Sequence, residues 1–148
     1  MQRIVNIFFA FVLVTFLVGC GGGKVSLNGT VTFSDDAEPL AQGTIAFLKE
    51  GKISRGSIKP DGTFVVGTDT GADGLSPGNY QVYITGSDKP ILAGTETVRV
   101  AGVEETKEIY TYERLIDSKY ERPETSGLTY EINAATKTLD IKVDRTGR

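Results

Sequence analysis

The sequence predicts an all-β domain built as an antiparallel sandwich or barrel, and three observations carry that expectation. Apolar and polar residues alternate with a period of two in short runs, such as Val25, Leu27, Gly29, Val31 and Phe33 against Ser26, Asn28, Thr30 and Thr32; this is the pattern of strands with one buried face. Gly, Pro and Asp separate those runs at short intervals, as turns between strands require. No segment after residue 24 sustains a helical period. Ile109 to Ile116 comes nearest, but Tyr110, Thr111 and Tyr112 favour extended backbone.

The chain opens differently. Met1-Gln2-Arg3 precedes an apolar run from Ile4 to Val18, broken only by Asn6 and Thr15. A charged start, a short apolar core and a small residue before the cut describe a secretory signal peptide, and the run falls short of the roughly 20 residues a membrane-spanning helix needs. Leu17-Val18-Gly19-Cys20 resembles the bacterial lipobox. The resemblance implies cleavage between Gly19 and Cys20, a diacylglycerol on the Cys20 thiol and an acyl chain on the freed amine. More than one chain is needed for firm attachment, at about 0.8 kcal/mol per buried CH₂. Cys20 is the only cysteine, so no internal disulfide forms. Gly21-Gly22-Gly23 follows as a flexible tether, and Gly21 in place of aspartate after the cysteine implies sorting to the outer membrane. The expected organisation is a signal peptide over 1–19, a lipidated cysteine with its tether over 20–24, and one domain over 25–148.

The first strand ends in the turn formers Ser34-Asp35-Asp36-Ala37-Glu38-Pro39. A second runs from Thr44 to Leu48, and Glu50-Gly51-Lys52 turns it into a third from Ile53 to Ile58. Lys59-Pro60-Asp61-Gly62 is the strongest hairpin signal, because Pro60 presets the first turn dihedral and Gly62 accepts the left-handed conformation. Phe64 and Val66 resume the alternation. A Gly- and Asp-rich loop from Gly67 to Gly78 leads into a strand through Tyr80, Val82 and Ile84. After it, Ser87-Asp88-Lys89-Pro90 enters a polar or mobile stretch, with weaker strands expected over Thr95–Val100 and Lys107–Tyr112. Leu139, Ile141 and Val143 mark a clear last strand.

Leu27-Asn28-Gly29-Thr30-Val31-Thr32-Phe33, Pro39-Leu40, Gly43-Thr44-Ile45-Ala46-Phe47, Asp61-Gly62-Thr63-Phe64 and Leu75-Ser76-Pro77-Gly78-Asn79-Tyr80-Gln81-Val82 together resemble the carboxypeptidase regulatory-like, or transthyretin-like, domain. The resemblance implies a seven-stranded antiparallel Greek-key sandwich. Lys119-Tyr120 followed by Thr125-Ser126-Gly127-Leu128-Thr129 is similar to small bacterial lipoproteins bearing that domain. Leu115-Ile116-Asp117-Ser118 lacks the proline usual before that Lys-Tyr, and Ala135-Thr136-Lys137 replaces the usual Gly-x-Asn turn. In the namesake enzymes the module carries no active site, so fold analogy implies anchoring or binding.

Composition narrows the chemistry further. The chain has 148 residues, 16 Lys and Arg against 19 Asp and Glu, a formal net charge of −3 and 0 His. Loss of the signal removes Arg3 and no acid, leaving a mature domain one unit more acidic. That balance argues against nucleic acid as a partner and against attraction to anionic headgroups. Without histidine, the imidazole of most triads is absent. The transthyretin-like hydrolases of purine breakdown and the iron dioxygenases of related sandwiches depend on it, which excludes their chemistry.

The candidate sites are few. Asp69 and Asp73, within Asp69-Thr70-Gly71-Ala72-Asp73-Gly74, offer oxygen ligands to calcium, but the spacing lacks the terminal bidentate acid of an EF-hand, and Asp and Gly are also what turns demand. Tyr110, Tyr112 and Tyr120 are candidate binding residues, able to stack on a sugar ring or anchor a protein; cross-strand packing, common for aromatic residues in sheets, accounts for them and Tyr130 more readily. Thr125-Ser126-Gly127 offers a serine with no base unless Lys119 serves, and a tight turn accounts for it. Asn28-Gly29-Thr30 matches a glycosylation acceptor but lies in a strand. Glu104, Glu105 and Glu108 form a solvated acidic edge of the kind that discourages aggregation.

The expectation is therefore a non-enzymatic, cofactor-free, lipid-anchored protein of the cell envelope. Its specificity is expected in the loops Gly67–Gly78 and Ser87–Gly94, and its partners are the membrane and an envelope protein or glycan. A glycan-binding accessory lipoprotein and a hydrolase are the alternatives.

Overall fold

The computed structural model describes residues 23–67 and 74–147. Among the described residues nine strands form, β1 (Leu27–Phe33), β2 (Gly43–Lys49), β3 (Lys52–Ile58), β4 (Thr63–Val66), β5 (Gly78–Thr85), β6 (Asp88–Val100), β7 (Val103–Arg114), β8 (Leu128–Ile132) and β9 (Thr138–Val143), with one 3₁₀ turn at Ser118–Glu121. Seven of them make the sandwich. One sheet has the order β4-β1-β9 and the other β3-β2-β5-β8, while β6 and β7 pair only with each other. The described residues are all-β, as their alternation requires.

Each sandwich strand turns one apolar row inward. Leu27, Val31 and Phe33 of β1, Phe64 and Val66 of β4, and Ile141 and Val143 of β9 face Ile45 and Phe47 of β2, Tyr80, Val82 and Ile84 of β5, and Ile132 of β8. The Phe47 ring lies 6.2 Å from those of both Phe64 and Tyr80. It therefore ties β2 to its own sheet and to the opposite one. Leu40, Leu75 and Ile116 are buried outside the strands and close the ends.

The hairpin expected at Lys59-Pro60-Asp61-Gly62 is present. Gly62 has φ of +77°, its N–H donates to the Lys59 carbonyl at 2.8 Å, and Asp61 accepts from the N–H and hydroxyl of Thr63. Those two donations hold the Asp61 carboxyl below its ordinary range.

Three expectations need correction. The sandwich is not wholly antiparallel: β1 runs parallel to β9, with Val31 beside Ile141, because the rest of the domain supplies the long crossover that a parallel pair needs. A strand not anticipated, β8, pairs with β5 and places Tyr130 opposite Tyr80. The polar stretch expected after Ser87 is strand: β6 runs from Asp88 to Val100, with a register shift between Leu92 and Gly94.

Candidate functional site: an exposed two-stranded ribbon

β6 and β7 form a ribbon about 40 Å long at the usual rise per residue. It is closed by Ala101 and Gly102, with φ of +50° and +87°; positive φ at both central residues is the geometry that matches the twist of a two-residue hairpin. Its root is held to the body. Leu115 N–H donates to the Ser87 carbonyl at 3.3 Å, Arg114 pairs with Glu121 at 2.8 Å, and the Gln42 side chain donates to the Asp88 carbonyl. Beyond that root no residue of β6 is buried, and every residue of β7 is exposed.

Residues directly opposite in an antiparallel pair share a face, so the register sorts the side chains. One face carries Pro90 opposite Tyr112, Leu92 opposite Tyr110, then Thr95 opposite Glu108, Thr97 opposite Thr106 and Arg99 opposite Glu104. The other carries Lys89 opposite Glu113, Ile91 opposite Thr111, Gly94 opposite Ile109, Glu96 opposite Lys107 and Val98 opposite Glu105. Near the root, Pro90, Leu92, Tyr110 and Tyr112 therefore make one uncharged patch. Its exposure is high, at 53% for Leu92, 46% for Tyr110 and 71% for Tyr112. The Tyr110 hydroxyl donates to Glu108 at 2.5 Å, and because ionising would forfeit that bond, the phenol is held above its ordinary pKa.

The structure divides the tyrosines grouped by sequence. Tyr110 and Tyr112 lie together on the ribbon, whereas Tyr120 is buried beneath the sandwich end at 6% exposure and does not join them. Burial brings its ring into the core, and its hydroxyl donates to Asp144 at 2.9 Å while accepting from the Asp144 N–H. Tyr130 is half-buried in β8. The segment Ser87–Gly94, expected as a specificity loop, is the ribbon's own first half. Gly19, Cys20, Asp69 and Asp73 lie outside the described residues. Among the described residues no group of three or more His, Cys, Asp or Glu side chains is arranged to hold a metal.

Asp144 and Arg145 form a cluster that sequence reasoning missed. Asp144 accepts from Lys119 Nζ at 2.6 Å, from Ser34 Oγ at 2.5 Å and from Tyr120; these donors, Lys119 foremost, hold its carboxyl well below the usual carboxylate range, and the hydrogen bond to the Asp144 carboxylate in turn holds the Lys119 ammonium above its own. Arg145 lies 3.6 Å over the Phe33 ring and pairs with Asp35, Asp36 and Glu38. The segment after β9 is thus clasped onto the turn after β1. The only advance signal was the acid-rich turn itself, without its distant cation.

Lys119 is committed to Asp144 rather than to Ser126. The Ser126 hydroxyl donates to the Pro123 carbonyl and accepts from Leu128 N–H, and Gly127 has φ of +67°, so this segment is the tight turn expected. A cleft of about 570 Å³ at another place in the body is lined by Lys24, Lys49, Lys52, Glu50, Ser54 and Tyr80. There Lys49 donates to the Pro77 carbonyl at 2.6 Å and Tyr80 to the Ser76 carbonyl at 2.7 Å, interactions that support the loop entering β5.

The fold and this surface define an all-β sandwich carrying an exposed ribbon. No family model and no curated protein matches the chain. Two crystal structures of BcpA, the major pilin subunit of Bacillus cereus, one of a variant form, match with TM-scores of 0.40 and 0.39 at 11% and 14% identity. They cover 82% of this chain, which spans only 30% and 29% of theirs. No helix among the described residues is long and apolar enough to cross a membrane.

Proposed function

We propose that this chain is a lipid-anchored protein of the cell envelope, attached through Cys20, whose sandwich is a non-catalytic scaffold and whose β6–β7 ribbon is the element that binds a protein partner. The lipobox-like Leu17-Val18-Gly19-Cys20 supports the anchor, and the resemblance to carboxypeptidase regulatory-like domains supports a module without an active site. One observation carries the binding role: Pro90, Leu92, Tyr110 and Tyr112 are gathered, exposed and uncharged, on one face of a ribbon that buries nothing of its own. Isolated two-stranded hairpins are marginal in water, and aromatic residues on such a surface are typical anchors at interfaces.

The test is capture from envelope extract with the intact protein, compared with a variant in which residues 90–112 are replaced by a short Gly-Ser linker. Loss of a stoichiometric partner with the ribbon supports the reading, while equal capture by both removes it. Mass spectrometry of Cys20 decides the anchor separately. The exposure of Tyr110 and Tyr112 on one face favours a glycan as the second reading; sugar binding abolished by Tyr112→Ala, with no protein captured, would select it.

A further inference from the structure

We infer that the ribbon's partner is a second copy of this chain, joined edge to edge through β7 in a two-fold antiparallel pairing centred on Tyr110. The inference deepens the reading of the ribbon as the contact element and rests on it. Three features lead there: which edge is open, which registers the charges allow, and what those registers bring together.

The two edges of the ribbon differ. β6 contains Pro90, which has no N–H to donate, and its register shifts between Leu92 and Gly94; both are devices that blunt an edge strand. β7 runs twelve residues with no Pro, no Gly and no shift. Its outer backbone groups are an uninterrupted template.

Charge then selects the register. A two-fold axis normal to a sheet keeps every side chain on its own face, so paired residues must share parity and the axis must pass through a residue. Centring on Glu104, Glu105, Lys107, Glu108, Glu113 or Arg114 sets a charge against its own copy. Centring on Thr106 sets Glu104 against Glu108, and centring on Ile109 sets Glu105 against Glu113. Like charges directly opposite are destabilising. Of the centres that remain, Tyr110 gives the longest overlap, from residue 106 to residue 114.

That register is self-complementary across all four strands. Lys107 meets the second copy's Glu113 twice; with the pairs already in each ribbon, a row reads Glu96, Lys107, then the second copy's Glu113 and Lys89, alternating in sign. On the opposite face, Leu92 and Tyr110 continue into the second copy's Tyr110 and Leu92. Tyr112 lies opposite the second copy's Glu108, an acceptor for its hydroxyl. The two exposed patches become one apolar strip.

Cysteine scanning of the full-length protein in detergent micelles tests the register. Residues opposite one another across an antiparallel pair have Cα atoms about 4.5–5.5 Å apart, within disulfide reach. Under mild oxidation Tyr110→Cys is expected to form a covalent dimer, and Tyr112→Cys is not. Glu108→Cys combined with Tyr112→Cys is again expected to cross-link. The parent, whose only cysteine is Cys20, is the control for linkage through the amino terminus. Sedimentation velocity of the unsubstituted protein is expected to give twice the protomer mass, falling to one protomer when residues 90–112 are replaced. A monomer at every concentration, or cross-linking at Thr111→Cys in place of Tyr110→Cys, overturns the inference. If a monomeric parent still captures another envelope protein through the ribbon, the binding role stands and only the second copy fails.

Discussion

The sandwich and the ribbon are made of the same kind of strand and are stabilised in opposite ways. In the sandwich, alternate side chains of each strand vanish into a shared interior, as Leu27, Val31 and Phe33 do in β1. In the ribbon, strands twice as long present both faces to solvent, and each face mixes charge, hydroxyl and apolar groups. Strand order in the first comes from burial and in the second from a turn, a register and cross-strand pairs. Substitutions in the two regions should therefore differ in what they change, since one core is shared by seven strands and none is shared by the ribbon.

The largest effect expected is at Phe47, fully buried and in ring contact with both sheets. Phe47→Ala should lower the free energy of unfolding by about 3–5 kcal/mol, measured by urea denaturation, whereas Tyr112→Ala should stay within about 0.5 kcal/mol of the parent. A large loss from Tyr112→Ala would mean that the ribbon carries the body and would reverse the contrast.

Ion pairs sharpen the comparison in a second way. The clasp uses Asp144 to join Ser34, after β1, to Lys119 and Tyr120 of the distant 3₁₀ turn, while the ribbon's Arg99–Glu104 pair, at 3.1 Å, joins two residues already placed by the turn. Because folding depresses the Asp144 pKa, its contribution is present above the ordinary value of 3.8 and is lost as pH falls below it through the folded value. Folding raises the Lys119 pKa, so that half is present below 10.5 and fades as pH rises beyond it. Asp144→Asn should thus melt below the parent at pH 7, with the gap closing on acidification below pH 3.8. Arg99→Ala should leave the melting temperature unchanged, as exposed pairs contribute little.

The same contrast explains what could be read in advance. β1, β2, β4, β5 and β9 were legible because a buried face imposes alternation, and the turn at Asp61-Gly62 because it demands particular residues. β8 alternates too, at Leu128, Tyr130 and Ile132, but over only five residues directly after the turn at Thr125-Ser126-Gly127, a run too short to stand apart from that turn. The β1–β9 parallel pairing, the burial of Tyr120 and the clasp at Asp144 depend on residues distant in sequence, which no local pattern encodes. In the ribbon, Pro90 and Gly94 read as breakers, since no buried face marks the strand through them. Tyr110 and Tyr112 were visible as candidates, but their union with Pro90 and Leu92 exists only through the cross-strand register.

The smallest effect tests whether the two regions unfold separately. Ala101 sits at φ of +50° in the hairpin tip, a left-handed conformation that costs a residue with a Cβ roughly 1–2 kcal/mol, whereas Asn tolerates it and is favoured there. Ala101→Asn should recover about 1 kcal/mol of that cost within the ribbon, slowing hydrogen exchange of its amides roughly fivefold. Sandwich amides, which open with the core, should exchange at the parent's rate, because the ribbon touches the body only at its root. If the core amides slow together with those of β6 and β7, ribbon and sandwich form one cooperative unit. The root contacts at Ser87, Asp88 and Arg114 would then transmit stability from tip to core, and the division between scaffold and binding element would dissolve at that junction.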